Sequence, residues 1–421
     1  MTIHVVKTGE SLYDISKMYD VSISLIVNVN GLKSPNVLIP GLSLYIPDNY
    51  LYNRIYQIKP GDTLWKLARR FDTSIEHIFT VNPRINPNQL FIGQKVIVPS
   101  PNQMSIETVG FIFPQANGKS FAALNEIANQ LSYVAIIAYS FSENGDVYLE
   151  ADDSVTLTQS KQLNIKPLLM IRNFKEKNFS AELVGKVFEN SQSRQRLVTS
   201  LVNIIEQKGY EGVSIDFEFI PPPRRKDFIS FLTELKSFLG TRILHVNVHS
   251  KTEDIPTNPI IGAYDYKAIG EIADIVAVMT IDYGYPTGPP NPIAPIWWVD
   301  AVVRYATSLI PPQKLQISLP LYGYDWRISD NKTTAFSALG AQNLAISKQT
   351  VIFYDREAKA PSFKYWKNSE EHIVWFEDIR SYVEKYNLID YYQLQGTTFW
   401  QIRLPSPQNW EYIKRNITVL K

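Results

Sequence analysis

The stretch that decides the fold lies near the middle of the chain and reads GVSIDFEF over Gly212–Phe219. Successive side chains of a β-strand point to opposite faces, so Ser214, Asp216 and Glu218 would share one face. The other face would pack against helices through the apolar residues Val213, Ile215, Phe217 and Phe219. Two carboxylates at neighbouring positions on a buried face repel each other and are costly to desolvate. We therefore interpret Asp216 and Glu218 as candidate catalytic residues, the structural alternative being that each pairs with an Arg or Lys.

This stretch is the fourth of eight short β-rich runs that alternate with amphipathic helical stretches. Such alternation is typical of a parallel sheet with helices outside, and eight units in about 300 residues predict an α/β fold, the (β/α)8 TIM barrel. Catalytic residues of these barrels lie at the carboxyl ends of the strands, where Glu218 falls. The segment at about 322–392 is too long for one connection and predicts a small inserted α+β lobe. The runs are Val109–Phe113, Val134–Tyr139, Leu168–Ile171, Val213–Phe219, Ile243–Val248, Ile275–Thr280, Leu315–Leu319 and Thr397–Trp400.

The region before the barrel contains an internal repeat with a shift of 52 residues. The shift superposes identical residues, which include Gly9 on Gly61, Leu12 on Leu64, Asn30 on Asn82, Gly41 on Gly93 and Pro47 on Pro99. Each copy reads as a strand, a Gly turn, two helices and a last strand. The chain is therefore predicted to be multidomain, with two small α+β (βααβ) modules at 1–48 and 54–100 ahead of the barrel at 104–421.

The composition excludes several classes of protein. The 421 residues include no cysteine, and 42 Lys and Arg against 41 Asp and Glu give a net charge of +1. A chain without thiols has no disulfides, thiol nucleophiles or zinc fingers. The balanced charge argues against nucleic acid as a partner, because phosphate binding depends on clustered Lys and Arg. No run approaches the roughly 18 apolar residues of a membrane span, and the N-terminal residues lack the features of a secretory signal peptide. We expect a monomer without a membrane span.

Two matching motifs stand at the start of the modules, VKTGESLYDIS at 6–16 and IKPGDTLWKLA at 58–68, and each copy closes with G-x-x-L/V-x-I/V-P. These motifs resemble the LysM family. The resemblance implies binding of β-1,4-linked N-acetylglucosamine polymers in a shallow groove between the first strand–helix turn and the loop after the second helix. The implied glycan-binding residues are Gly9, Leu12, Asn30, Gly61, Leu64 and Asn82. The structural alternative is that Leu12, Leu64 and Trp65 belong to the module cores.

Three motifs of the large domain, EGVSIDFE at 211–218, MTID at 279–282 and GTTFW at 396–400, resemble glycoside hydrolase family 18. Within that family the chain is most similar to the spore cortex-lytic N-acetylglucosaminidases, which also carry two LysM modules ahead of the barrel. Three further stretches extend this similarity, MTIDYGYPTGPPNPIAPI at 279–296, YDREAKAP at 354–361 and HIVWFED at 372–378.

The resemblance implies a retaining, substrate-assisted mechanism that needs neither a metal nor a cofactor. Glu218 would protonate the glycosidic oxygen and later activate water, while the substrate's own 2-acetamido oxygen attacks C1. Asp216 would accept the acetamide N–H and stabilise the oxazolinium intermediate. Asp282 is the third carboxylate of the implied catalytic set, and Trp400 would form the hydrophobic floor under the −1 sugar.

Two positions depart from the family pattern. Ser214 stands where an acid usually precedes Asp216, and Ile281 replaces a tyrosine that normally gives a hydroxyl to the reacting acetamide. Loss of one such preorganised donor would cost roughly 2.7–4 kcal/mol in the transition state. The hydroxyl would then have to come from Tyr283 or Tyr285, or the enzyme would be slow.

Several further side chains fall at or just past strand ends. Asn173, Asn247 and Tyr322 are candidates for contacts with sugar hydroxyls. His245 and His249 share a strand face without a carboxylate partner, and no H-E-x-x-H motif occurs, so we expect no metal site.

These residues predict a peptidoglycan hydrolase that cuts N-acetylglucosaminyl bonds in the spore cortex, with the LysM pair raising the local substrate concentration. One alternative is a chitinase with the same chemistry. Another is a catalytically weak or inactive glycan-binding protein of the spore coat, which Ile281 favours. The expected location is the bacterial spore, in its coat or cortex, reached without a secretory signal peptide. An aromatic content of 12% suits a polysaccharide partner.

Overall fold

The computed structural model describes residues 2–47, 52–87, 89–100, 103–114 and 119–421. Ahead of the barrel it contains two copies of the predicted strand–helix–helix–strand unit, whose two strands pair antiparallel. Module 1 (residues 2–47) comprises β1 (Thr2–Val5), α1 (Leu12–Tyr19), α2 (Ile23–Val29) and β2 (Ser43–Ile46). Module 2 (residues 52–100) comprises β3 (Tyr52–Gln57), α3 (Leu64–Arg70), α4 (Ile75–Val81) and β4 (Lys95–Ser100). The expected end of the first module at residue 48 lies outside the described residues.

Hydroxyl side chains start the four module helices. Ser11, Ser22, Thr63 and Ser74 each accept a hydrogen bond from a backbone N–H in the first turn of the helix that follows. Such caps satisfy N–H groups that have no partner inside the helix and are each worth about 1 kcal/mol.

The rest of the chain alternates strands and helices, as the sequence predicts. Its strands are β5 (Met104–Ile112), β6 (Tyr133–Phe141), β7 (Val147–Leu149), β8 (Lys166–Arg172), β9 (Phe174–Lys175), β10 (Asn178–Phe179), β11 (Gly212–Asp216), β12 (Ile243–His249), β13 (Ile275–Met279), β14 (Leu315–Pro320), β15 (Tyr322–Arg327), β16 (Lys332–Ser337), β17 (Phe353–Asp355), β18 (Ala360–Lys367), β19 (Glu370–Trp375), β20 (Gly396–Trp400) and β21 (Ile417–Val419). Its helices are α5 (Lys119–Ile127), α6 (Ser154–Gln162), α7 (Ala181–Glu189), α8 (Ser191–Lys208), α9 (Arg225–Leu239), α10 (Tyr266–Ile272), α11 (Ile296–Thr307), α12 (Ala338–Ser347), α13 (Ile379–Tyr392) and α14 (Pro407–Asn416).

Eight of these strands form a closed parallel barrel, which confirms the predicted TIM barrel. They follow the order β5-β6-β8-β11-β12-β13-β14-β20, and β20 pairs with β5 to close the ring. An apolar layer between strands and helices makes up the largest core. The inside of the barrel is filled by a second apolar cluster that includes Val109, Phe111, Leu168, Met170 and Ile275. Because the interior is packed, a substrate can reach the barrel only at its mouth.

A separate lobe stands beside the carboxyl ends of β14 and β20. Its five antiparallel strands follow the order β16-β15-β19-β18-β17, and α12 packs against β15 and β16. The lobe sheet covers Tyr322–Trp375, inside the segment where an insertion is expected. The next helix, α13, contacts α11 and β14 and so belongs to the outer layer of the barrel.

The fourth barrel strand is shorter than the sequence suggests. β11 ends at Asp216, and Phe219 has a left-handed φ of +56°. The chain therefore turns away from the strand direction before Phe219. The expectation that Phe219 packs against helices is wrong, since its half-buried ring lies 5.6 Å from the ring of His249 at the barrel mouth. Among the described residues, no helix combines the length and apolarity needed to cross a membrane.

Candidate active site

Glu218 lies just past the end of β11, and the backbone around it is held on two sides. Asn173, which follows β8 and is fully buried, donates from Nδ2 to the Glu218 carbonyl (2.8 Å). The Glu218 N–H donates to Asn173 Oδ1 (2.8 Å), and the Tyr264 hydroxyl donates to the Phe217 carbonyl (2.7 Å). The expectation that Asn173 contacts sugar is therefore corrected, because its amide is used to fix the backbone of Glu218.

Asp216 is buried directly behind Glu218, with 4% of its surface exposed. The parallel register places Arg172 of β8 opposite it. Burial raises the pKa of the Asp216 carboxyl well above its usual value, the charge of Glu218 raises it further, and the charge of Arg172 lowers it. The guanidinium of Arg172 is itself held by Glu150 (3.0 Å) and by the ring of Phe174 (4.1 Å). Sequence analysis missed Arg172, because only the strand register brings it to Asp216.

An uncharged network occupies the barrel interior below Asp216. Ser214 Oγ pairs with His245 Nδ1 (2.9 Å), and Asn247 Nδ2 donates to Ser214 Oγ (3.2 Å) and to the Ile215 carbonyl (3.1 Å). Burial lowers the pKa of His245 to about 3, so its imidazole is neutral at physiological pH. Asn247 is 3% exposed, and the expectation that it meets sugar hydroxyls is corrected, since its amide bonds inside the barrel. Neutral groups thus stand where the resemblance leads one to expect an additional acid.

The carboxylate of Glu218 faces an imidazole. His249, the last residue of β12, has its Nε2 3.3 Å from Glu218 Oε2. About a fifth of each side chain remains exposed, 20% for His249 and 18% for Glu218. The prediction that His249 lacks a carboxylate partner is wrong, because the register of β11 and β12 brings the two side chains to the same end of the barrel.

Asp282 gathers two tyrosine hydroxyls at the other side of the mouth. Its Oδ1 accepts hydrogen bonds from the hydroxyls of Tyr322 (2.6 Å) and Tyr324 (2.9 Å). Surrounding protein raises the pKa of the Asp282 carboxyl, the two donors lower it, and the charge of Glu218 raises it. Tyr322 was expected to contact substrate. Its hydroxyl donates to Asp282 in this structure, and the substrate contact stays a prediction. Tyr324, at the next residue on the same strand face, was missed and follows from strand alternation.

Tyr283 and Tyr285 were expected to compensate for Ile281. Among the described residues, neither hydroxyl has a recorded contact with a carboxylate at the barrel mouth. The ring of Tyr283 lies 5.1 Å from that of Trp297 and 5.4 Å from that of Trp298, at the start of α11. Tyr285 is 47% exposed and packs over Gly288. The tyrosine hydroxyls that do contact a carboxylate there are those of Tyr322 and Tyr324, which donate to Asp282.

Trp400 ends β20 at the centre of the mouth. It is half-buried, and its ring lies 5.6 Å from Phe111 and 6.1 Å from Phe113. The same side chain packs against the aromatic cluster of the lobe that contains Tyr322 and Trp326. The peptide bond from Trp400 to Gln401 is cis. A half-buried aromatic ring at this position remains the predicted floor under a sugar ring.

The four module side chains expected to bind glycan are used internally. Leu12 and Leu64 are 2% and 3% exposed and belong to the module cores, so the structural alternative holds for both. Asn30 and Asn82 each donate from Nδ2 to one carbonyl of the second helix and one of the last strand, and accept a backbone N–H from that strand. The expectation that these four side chains contact glycan is therefore corrected.

The two turn glycines remain accessible. Gly9 and Gly61 have φ of +85° and +79°, which favours glycine, and an added Cβ would meet no atom within 4 Å at either position. Trp65, at the start of α3, is 55% exposed, so the core alternative is wrong for this residue. Backbone and exposed aromatic groups are thus what the modules offer to a ligand.

The barrel mouth combines a partly exposed carboxyl, a buried carboxyl directly behind it and an aromatic face. A carboxyl that stays in contact with water can give a proton to a leaving group and later take one from water. A buried carboxylate can accept an N–H and oppose developing positive charge. This combination suits cleavage of a bond whose transition state is cationic.

Comparison with known proteins agrees with this geometry. The family model described as "Glycosyl hydrolases family 18" matches residues 107–404, and the LysM domain model matches 4–47 and 56–99. The Bacillus subtilis (strain 168) protein called "Putative sporulation-specific glycosylase YdhD" is 33% identical, covering 100% of both chains. A cortical fragment-lytic enzyme of Bacillus anthracis is 30% identical over 99% of this chain and 98% of its own. The crystal structure of the Bacillus cereus spore cortex-lytic enzyme SleL superposes with a TM-score of 0.88 at 30% identity, covering 100% of this chain and 98% of that one.

Proposed function

The chain belongs to glycoside hydrolase family 18 and carries two LysM domains, and from this premise we propose that it cleaves the β-1,4 N-acetylglucosaminyl bonds of spore cortex peptidoglycan. Relatives named as cortical fragment-lytic enzymes, which match over nearly the whole chain, support this choice of polymer. The protein would act at the spore, and the relative named as a sporulation-specific glycosylase supports this location.

In the proposed mechanism Glu218 is the acid and base, and the substrate's own acetamido group is the nucleophile. Glu218 donates its proton to the glycosidic oxygen as the bond from C1 to that oxygen breaks. The substrate's acetamido oxygen bonds to C1 and forms an oxazolinium, and Asp216 accepts its N–H. Water then attacks C1 as the bond from C1 to the acetamido oxygen breaks, and it gives a proton to Glu218. The acetamide and the acid return to their starting forms, and the two displacements at C1 retain the anomeric configuration.

The placement of Glu218 is the observation that carries the proposal. Asn173 bonds both the N–H and the carbonyl of Glu218, each at 2.8 Å, so the residue is fixed although it lies past the strand end. A backbone held in this way keeps the acid oriented before substrate arrives, which reduces the reorganisation needed in the transition state. The buried Asp216 behind it supplies the second charge that the reaction needs.

The missing tyrosine at Ile281 has a candidate replacement. Tyr322 and Tyr324 both bring hydroxyls to Asp282, and the charge of Glu218 acts on this carboxyl. We propose that, when substrate binds, one of the two hydroxyls turns away from Asp282 and donates to the acetamide oxygen. That donor would supply the roughly 2.7–4 kcal/mol that one such group contributes.

A catalytically inactive glycan-binding protein is the second candidate function, and Ile281 is the observation that favours it. The two candidates differ in a product. Purified spore cortex is incubated with the full chain, and the soluble fragments are reduced and analysed by mass spectrometry. New reducing ends on N-acetylglucosamine are expected. Sedimentation of the protein with cortex without any new fragments would overturn the hydrolase proposal and leave the binding function.

A further inference from the structure

The two modules share a fold but differ in what covers them. In module 1 the loop after α2 is packed against the barrel domain. A Cβ added at Gly31 would lie 2.7 Å from Leu339 Cδ1 and 2.9 Å from Pro407 Cγ. Gln342 Nε2 donates to the Asn30 carbonyl (3.0 Å), and Gln408 Nε2 donates to Asn30 Oδ1 (2.8 Å). This loop is expected to form one wall of the glycan-binding groove of a LysM domain. In module 1 it is covered by side chains of the barrel domain.

The segment before the last strand of module 1 is covered as well. The Ile352 N–H donates to the Pro40 carbonyl (3.0 Å), and a Cβ added at Gly41 would lie 1.8 Å from the Ile352 carbonyl oxygen. Ile39 is 3% exposed and belongs to one continuous apolar core that module 1 shares with the lobe, through residues such as Ala341, Ile352, Phe363 and Val374. Ser43 Oγ also donates to the Asp378 carboxylate (2.8 Å). Module 1 therefore packs against the barrel domain and shares a core with its lobe.

Module 2 leaves the equivalent positions open. Pro83 and Arg84 are exposed where Gly31 and Leu32 are covered. Phe91 and Ile92 are 67% and 72% exposed, and their counterparts in module 1 are the covered residues Ile39 and Pro40. Module 2 has its own separate core.

The contact between module 2 and the barrel uses another surface. β3 contacts α13, and Arg54 of β3 pairs with Asp390 at 2.6 Å. Phe91 and Ile92 instead stand next to Gly93, whose N–H donates to the Ile58 carbonyl (2.8 Å) just before the Gly61 turn. The exposed apolar residues thus lie beside the open turn rather than against the barrel.

The two modules also differ in net charge, and module 2 is the basic one. Residues 52–100 contain seven Lys and Arg against three Asp and Glu, a net charge of +4, whereas residues 2–47 contain three of each. The stem peptides of peptidoglycan carry carboxylates, so a basic surface favours this polymer. Exposed aromatic faces match the C–H faces of pyranose rings, and clustered exposed apolar groups on a small domain mark binding sites.

We propose that module 2 is the glycan-binding module of this chain and that module 1 is a structural part of the catalytic domain. The partner is an N-acetylglucosamine polymer with acidic peptide substituents, a choice that rests on the proposed function. The two LysM domains therefore do not bind as a pair, and the affinity of the enzyme for its polymer comes from module 2 together with the barrel mouth.

The chain offers a matched pair of variants to test this division. Trp65 and Tyr13 occupy equivalent positions under the repeat and are 55% and 60% exposed. The full-length protein is sedimented with insoluble cortex peptidoglycan over a concentration series. We expect Trp65→Ala combined with Phe91→Ala to weaken binding about tenfold or more, since each tenfold corresponds to about 1.4 kcal/mol. Tyr13→Ala combined with Val37→Ala, which is also exposed, is expected to change binding less than about twofold.

Equal weakening by the two double variants would overturn the proposal, and so would full binding by the module 2 variant. All four side chains are exposed, so thermal unfolding is expected to remain at the wild-type temperature for both. Turnover of a short soluble N-acetylglucosaminyl substrate separates this test from the proposed function. A wild type that binds cortex but turns over nothing contradicts the hydrolase proposal and leaves the comparison of modules valid.

Discussion

His249 Nε2 lies 3.3 Å from Glu218 Oε2, so the last residue of β12 stands against the carboxyl that we propose as acid and base. The ring is held in place by its neighbours, because Tyr264 and Phe219 lie 5.5 and 5.6 Å from it. Below this pair, His245 and Asn247 of the same strand bond to Ser214. β12 thus contacts the candidate catalytic strand at Ser214 and at Glu218.

Replacing His249 tests whether this contact matters for turnover. After Glu218 has given up its proton, His249 is a polar partner for the carboxylate, and His249→Ala removes it. We expect kcat/KM on a soluble N-acetylglucosaminyl substrate to fall about tenfold, which corresponds to about 1.4 kcal/mol. His77, an exposed histidine of α4, gives the control variant His77→Ala, which should leave turnover unchanged. Equal kinetics for both variants would show that the contact has no catalytic role.

Asn173 is expected to act through position rather than through substrate contact. Asn173→Ala removes both hydrogen bonds to the Glu218 backbone and leaves their partners unsatisfied, at about 1–3 kcal/mol for each buried group. The expected result is a fall in kcat of about 10- to 100-fold with KM changed less than threefold, because the substrate loses no contact. A large rise in KM with unchanged kcat would instead support direct binding of sugar by Asn173.

Asp216 should make the protein less stable at neutral pH than at acid pH. Burial and the charge of Glu218 raise the pKa of its carboxyl, so the folded chain holds this proton more tightly than the unfolded chain does. The stabilising effect is complete below the usual Asp pKa of 3.8 and is lost as the pH rises through the raised value. Asp216→Asn removes the buried charge and is expected to raise the free energy of unfolding at pH 7 by on the order of 1 kcal/mol, and the unfolding temperature with it.

At about pH 4 the same substitution should have little effect on unfolding, because the native carboxyl is then largely protonated. Thermal unfolding of both proteins at the two pH values measures the difference. An equal or larger effect of Asp216→Asn at acid pH would contradict this account of the site. Activity of the variant is expected to be strongly reduced at both values.

A buried ion pair joins the lobe to the barrel. Lys385 Nζ lies 2.7 Å from Glu377 Oε2, and the two side chains are 1% and 0% exposed. Burial raises the pKa of Glu377, and the charge of Lys385 lowers it. Lys385→Met leaves a buried carboxyl without its counter-charge and is expected to cost about 3–5 kcal/mol of the free energy of unfolding.

The matched double variant, Lys385→Met with Glu377→Gln, should recover much of that loss, because no charge then remains buried. Denaturant unfolding at pH 7 gives the comparison. A single variant within about 1 kcal/mol of the wild type would show that water reaches the pair.

The sequence predicted the elements of this molecule better than its side-chain contacts. The eight barrel strands and the strand–helix–helix–strand modules follow from local periodicity and turns, which each segment carries by itself. Asn173 and Asn247 were placed correctly near the strand ends, but their amides bond to protein groups rather than to the expected sugar. Whether such a side chain faces a ligand or a neighbouring strand depends on register, which a single strand does not encode.

Of the two site residues missed beside Glu218 and Asp216, His249 has a signal in the sequence and Arg172 has none. His245, Asn247 and His249 alternate along one strand in the same way as Ser214, Asp216 and Glu218 do on the one before it. Consecutive parallel strands of a barrel are neighbours, so pairing the two inward rows would have brought His249 towards Glu218. Arg172 offered no such signal, because it ends an apolar run and only the β8–β11 register reveals it.

Turnover by Glu218→Gln shows whether Glu218 is the acid and base of this chain. The control is Glu182→Gln, because Glu182 is an exposed residue of α7. The wild type and both variants are compared on purified cortex fragments at equal protein concentrations, after thermal unfolding has shown that their stabilities are equal. We expect Glu182→Gln to release N-acetylglucosamine reducing ends at the wild-type rate and Glu218→Gln to lose about 10³-fold of that rate. Equal rates for all three proteins would contradict the assignment of Glu218 as the acid and base of this enzyme.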